Sequence, residues 1–265
     1  MKITMLGTGN AGVKKCFNTC FIIEDSGRYM LVDTGGGNRL LTQLDMSEKS
    51  IYEIRDIFIS HRHTDHLTGI FWIARSFLQQ MRKHKVSGHV NIYAHNEVIN
   101  ILNTTISLLF PNEAEYINNG FNLIEVKDGE ERSIIGHNFT FFDINSKKAK
   151  QFGFSMELNK NDRLVFCGDE PCPASGLKYV NSCTWLMHEA FCLCSEADIF
   201  KPYDKKHSTV KDACMLAENS HVKNLILYHT EEKNLEHRKE LYTAEGQKYF
   251  SGNLFVPDDL ETINL

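Results

Sequence analysis

Short apolar runs that stop abruptly at polar residues recur along the chain. Ile3 to Leu6 gives way to Gly7-Thr8-Gly9, Met30-Leu31-Val32 to Asp33, and Ile57-Phe58-Ile59 to Ser60-His61. Later, Trp185-Leu186-Met187 runs into His188-Glu189, and Leu225-Ile226-Leu227-Tyr228 into His229. Runs of this length, rich in branched and aromatic residues, read as strands buried on both faces. Two further strands, Phe121 to Val126 and Phe139 to Ile144, are predicted to share a second sheet. Phe152 to Leu158 and Arg163 to Phe166 form a hairpin through Asn159-Lys160-Asn161-Asp162, its second arm ending in Cys167-Gly168-Asp169. Ile70, Ile73, Ala74, Phe77 and Leu78 recur at helical spacing and predict one long helix from Thr64 to about Lys85. Further helices are predicted from Asn96 to Leu109, before Pro111, from Thr209 to about Asn219, and from Leu235 to Lys248.

Composition narrows this picture without redirecting it. A length of 265 residues with 42 % hydrophobic and 24 % charged content suits one soluble α/β domain spanning 1–265. The net charge of −5 argues against a surface built throughout for nucleic acid, while leaving room for a local basic patch. No amino-terminal signal segment and no membrane-length apolar run are present, so the cytoplasm is the expected compartment and no membrane partner is expected. The eight cysteines lack paired Cys-x-x-Cys spacing and are assigned to packing as reduced thiols.

The candidate chemistry sits where the apolar runs stop. His61-Arg62-His63-Thr64-Asp65-His66 places three imidazoles and a carboxylate within six residues, at a strand-to-helix turn. Neutral imidazole nitrogen with carboxylate oxygen suits a borderline cation such as zinc. Gly7-Thr8-Gly9 lacks the helix and the Gly-Lys-Ser/Thr ending of a phosphate-binding loop, so these glycines are read as letting the backbone pass close under a site. Asp33 is read equally as a turn-former or cap and as a metal-site residue. His95 is a candidate for lining the pocket, and Lys147 to Lys150 a basic run at a strand end.

Asp169, His188, Glu189 and His229 also follow apolar strands. Together with Gly-Thr-Gly, Asp33 and His-x-His-x-Asp-His, they make the chain resemble the metallo-β-lactamase superfamily over nearly its whole length. Within it, His188-Glu189-Ala190-Phe191, His207-Ser208-Thr209 and Asn18-Thr19 are most similar to segments of ribonuclease Z and its phosphodiesterase relatives. The resemblance implies a four-layer αββα sandwich with a two-metal groove at one sheet edge. It implies His61 and His63 on the first metal, Asp65, His66 and His229 on the second, and Asp169 bridging. Zinc is the expected metal, as one or two ions, with manganese or iron as alternatives. Asp65, Glu189 and His207 would be the catalytic group, Glu189 orienting His207 as proton donor and a metal-bound hydroxide acting as nucleophile.

Two departures qualify the resemblance. Asn145 aligns where the family has a third histidine for the first metal, and an amide is a poor zinc ligand, so that position is expected to be weak or empty. The long RNA-gripping arm of ribonuclease Z is replaced by the turn Asn159 to Asp162. The expected function is a metal-dependent phosphodiesterase whose substrate is RNA or a small molecule, with a homodimer left open. The alternatives are hydrolysis of another bond, such as a thioester or lactone, and a binding or regulatory protein with a degenerate site.

Overall fold

The computed structural model describes residues 1–265 as two seven-stranded sheets packed face to face. The first six strands are β1 (Lys2–Gly7), β2 (Cys20–Asp25), β3 (Arg28–Val32), β4 (Asp56–Ile59), β5 (Val90–Ala94) and β6 (Phe121–Glu125). The next seven build the second sheet: β7 (Glu131–Ile134), β8 (His137–Asp143), β9 (Phe152–Glu157), β10 (Arg163–Phe166), β11 (Trp185–Glu189), β12 (Asn224–Tyr228) and β13 (Asn253–Phe255). The last strand, β14 (Thr262–Asn264), returns to pair with β1. β6 pairs in parallel with β5, so Phe121–Glu125 closes the first sheet and does not belong to the second. The alternation of β6 reports only one buried face, and neighbouring strands alone decide which sheet receives it.

Side-chain alternation sorts the apolar runs into layers. Along β4, Phe58 points between the sheets while Ile57 and Ile59 point outward; along β12, Ile226 and Tyr228 point inward and Leu225 and Leu227 outward. Each strand reads as continuously apolar because both faces are covered. The outer face of the first sheet is covered by α1 (Arg39–Met46), α2 (Thr64–Leu67), α3 (Ile70–Arg82) and α4 (Asn96–Leu109). The second sheet carries α5 (Leu177–Val180), α7 (Val210–Asn219) and α8 (Arg238–Gly246), with Val210, Ala213, Cys214, Ala217 and Tyr242 in its outer core, while the short α6 (Ala197–Phe200) buries no residue. The result is the αββα sandwich that the motifs imply.

The long helix expected from Thr64 is two helices, broken at Thr68–Gly69. The Gly69 amide donates to the Gly35 carbonyl, and a Cβ on Gly69 would lie 2.0 Å from the Thr34 oxygen. The Gly69 amide thereby leaves the helical ladder, and the contact ties the segment after β3 to the helix that carries Asp65 and His66. At the amino end, a Cβ on Gly7 would meet the Asn18 oxygen at 2.2 Å, the tight backbone passage expected of these glycines. The parallel strands β3, β4 and β5, and likewise β10, β11 and β12, send their carboxyl ends to one edge. No helix is long and apolar enough to cross a membrane.

Candidate metal centre

Six side chains from strand ends and from the turn into α2 meet at that edge. The Oδ2 atom of Asp169 lies 3.6 Å from His61 Nε2, 3.6 Å from His66 Nε2 and 3.5 Å from His229 Nε2. Asp65 Oδ2 stands 3.3 Å from His66 Nε2. Two groups of donor atoms result, His61 with His63 and Asp169, and Asp65 with His66 and His229, each within 4.8 Å. All but the half-buried His63 are buried, and His66 Nε2 has no hydrogen-bond partner. An orphaned imidazole nitrogen among carboxylates is the donor environment a divalent cation satisfies.

The electrostatics favour positive charge at this point. Burial acts against charging His66, yet Asp65 and Asp33 hold its pKa well above the ordinary value. Asp65 and Asp169 are both held low in spite of burial, Asp65 first by His66 and Asp169 first by His61. Burial pushes His229 down to about 3 and His61 well below the ordinary range, so both present neutral imidazoles.

A second set of residues fixes how these rings are turned. His66 Nδ1 lies 2.7 Å from Asp33 Oδ2, and Asp33 also accepts from the Ser60 amide at 2.7 Å and the Ser60 hydroxyl at 2.7 Å. Asp33 caps no helix; α1 begins after Asn38. His229 Nδ1 lies 3.2 Å from Thr19 Oγ1, whose proton goes to the Gly9 carbonyl, so the hydroxyl accepts from the ring. An acceptor at Nδ1 keeps the proton there and turns the Nε2 lone pair toward the site. Of the dipeptide Asn18-Thr19, it is the Thr19 hydroxyl that reaches His229.

Other expected residues are placed differently. Asn145 is exposed, in a left-handed conformation, with its amide donating to Ser175 Oγ at 2.9 Å, so it does not stand at the first-metal position. Gln151 is the residue beside His61: it is buried, pairs with His61 in an isolated antiparallel bridge, and its Nε2 lies 2.9 Å from His61 Nδ1 and against Asp169 Oδ1. The sequence signal for Gln151 was a polar residue directly preceding Phe152. His95 is buried against Phe152 and is not among the residues lining the cavity. Lys148 of the basic run does reach the rim, whereas Lys150 bonds Asn96 at 2.8 Å.

The centre opens into a cavity of about 690 Å³ lined by Arg62, His63, Asp65, Lys148, Phe191, Lys205, His207 and His229, among others. His207 Nδ1 and Glu189 Oε2 face each other at 3.6 Å, both buried and both without a hydrogen-bond partner. Phe191 stacks on His207 with ring centroids 4.8 Å apart, and the His207 ring lies 5.3 Å from that of His229.

The layers and the strand-edge His/Asp cluster define a metallo-β-lactamase-fold protein. Solved structures agree on the fold: YhfI of Bacillus subtilis superposes with a TM-score of 0.81 at 14 % identity, covering 99 % of this chain and 98 % of that one. Human tRNase Z, short form, does so with a TM-score of 0.76 at 21 % identity, covering 100 % and 99 %. The chain is also 25 % identical to the ribonuclease Z of Thermococcus sibiricus, over 100 % of this chain and 96 % of that protein. Within this ribonuclease Z-like branch the chain belongs to the family described as anti-Pycsar protein Apyc1, whose model matches residues 1–250.

Proposed function

We propose that the chain is a metal-dependent phosphodiesterase acting on a compact phosphodiester. The observation that carries this reading is Asp169 Oδ2 ringed by three imidazole nitrogens at 3.5–3.6 Å, beside an imidazole, His207, that lines the same cavity. The similarity to ribonuclease Z and tRNase Z supports hydrolysis of a phosphodiester over a thioester or lactone. His61, His63, Asp65, His66, Asp169 and His229 would hold the metal, with zinc the best match to their nitrogen and oxygen donors. When bound, such ions lower the pKa of water and offset charge on a phosphoryl group.

The chain's own residues supply the rest. Nδ1 of His207 faces Glu189 Oε2 at 3.6 Å, leaving Nε2 to hand its proton to the leaving oxygen. Lys148 and Lys205 place positive charge at the rim and draw an anionic substrate inward. The four-residue turn Asn159–Asp162 between β9 and β10 leaves no arm to grip a folded RNA, and the cavity volume suits a small ligand.

The test is zinc-supplemented protein on bis(p-nitrophenyl) phosphate, alongside a thioester and a lactone. Turnover of the phosphodiester is expected, abolished by chelator and by His66→Ala, and reduced about 10²–10⁴-fold by His207→Ala. Faster turnover of the thioester or lactone, or an unaffected His207→Ala, would overturn the reading.

A further inference from the structure

No hydrogen bond holds the His207 ring. Its Nδ1 is buried without a partner, with Glu189 Oε2 standing 3.6 Å away. The torsion that turns an imidazole about its Cβ–Cγ bond is soft, so an unbonded ring keeps its plane only where packing holds it. The surface packed against His207 is Phe191: the two rings lie 14° from parallel with centroids 4.8 Å apart. The His229 ring, 5.3 Å off, is tilted by 35°. Phe191 is itself well fixed. Its amide donates to the Ser208 carbonyl at 2.9 Å, and its carbonyl accepts from the Glu231 amide at 2.8 Å and the Tyr242 hydroxyl at 3.4 Å. Its ring meets the Phe200 ring edge-on, and the Ser208 amide donates to Glu189 Oε1. One segment at the end of β11 therefore grips the residue that follows His207 and presents two surfaces to the imidazole. The face of Phe191 sets the plane of the ring, and the Glu189 carboxylate selects between the two orientations within that plane by drawing Nδ1 toward itself. Nε2 is then left for the cavity that His207 lines.

We propose that Phe191 is a positioning residue for the proton donor, holding the plane of His207 so that its Nε2 is aimed at the leaving oxygen. An aliphatic side chain of similar volume fills the same space but offers no flat face to favour one plane over another. This inference rests on the phosphodiesterase reading above, but concerns how the donor is aimed, not the bond that is cleaved.

The test uses full-length, zinc-loaded protein and bis(p-nitrophenyl) phosphate. Phe191→Leu should lower kcat about 10–100-fold with KM within about twofold, since a misaimed donor costs turnover and not binding. Phe191→Tyr, which keeps the ring, should bring kcat back to within about threefold of wild type. In a His207→Ala background Phe191→Leu should change kcat by less than about threefold, because the imidazole it orients is gone. A second readout needs no turnover: in protein labelled at histidine and phenylalanine, nuclear Overhauser contacts should join the ring protons of Phe191 and His207. A His207→Ala defect without a Phe191→Leu defect would overturn this proposal alone, as would a Phe191→Leu loss repeated in full in the His207→Ala background. Absence of the ring-to-ring contact in wild type would do the same, and decides the matter should Phe191→Leu fail to fold. No phosphodiester turnover by wild type, or an unaffected His207→Ala, would overturn both this proposal and the reading on which it rests.

Discussion

Replacing Asp33 by asparagine should disable the metal centre without unfolding the protein. Asp33 is buried and sits at φ 55°, a left-handed conformation that asparagine adopts readily, so the backbone is not strained by the exchange. The carboxylate serves donors on both oxygens: the Ser60 amide at 2.7 Å on Oδ1, and the Ser60 hydroxyl and His66 Nδ1, each at 2.7 Å, on Oδ2. An amide can serve one side only. If its oxygen stays with the Ser60 amide, its NH₂ confronts His66 Nδ1 and drives that proton to Nε2, the atom that must hold metal. Outer partners of ligating histidines typically contribute 10–100-fold in affinity, or about 1.4–2.7 kcal/mol. The lost charge-assisted bond should lower stability of the metal-free chain by about 1.5–3 kcal/mol. Zinc competition against a chromophoric chelator reads the first quantity and urea denaturation in chelator the second. Zinc affinity within threefold of wild type, in a variant that has lost stability, would refute the argument and leave Asp33 a loop anchor.

Three further outcomes follow from other contacts. Thr19→Val removes the acceptor from His229 Nδ1 and should weaken zinc binding about tenfold while Thr19→Ser retains it; equal affinities for the two variants in the chelator assay would contradict the role of the hydroxyl. Burial, aided by Lys150, pushes His95 down to about 4, so between pH 6.5 and about 4 the unfolded chain binds more protons and the fold loses stability as pH falls. At pH 5 this group alone should cost about 2 kcal/mol relative to pH 7, and urea denaturation of His95→Leu should show a correspondingly smaller acid loss than wild type. Gly69→Ala would drive a Cβ to 2.0 Å from the Thr34 oxygen and should lower stability by about 1–3 kcal/mol, read as a fall of several degrees in melting temperature; an unchanged melting temperature would show that the α2–α3 junction relaxes freely.

How much of this was written in the chain depends on the range over which each signal acts. The ligand motif His61 to His66 is local: a strand end and a helix start within six residues aim its side chains at one point, and residue order alone declares it. The helix predicted from Thr209 is likewise local: α7 starts there, and a capping box between Thr209 and Asp212 holds its first turn. Strand existence was legible for β1, β3, β4, β11 and β12, because unbroken apolar runs require two covered faces. The edge strands β7, β13 and β14 carry weak patterns, since an edge strand has fewer neighbours to bury it.

The sequence by itself therefore determined the class of fold, the chemistry of the donors and the strand ends that bear them. Tertiary structure decided which sheet β6 joined, that the first helix breaks at Gly69, and that Asp33 and Thr19 orient His66 and His229 from outside the ligand set. It also set Asn145 out in solvent and Gln151 beside His61. The physical reason is common to all four. Strand pairing, close backbone approach and the direction of a hydrogen bond depend on residues distant in the chain, and a residue's type states what it can donate or accept without stating what stands opposite it.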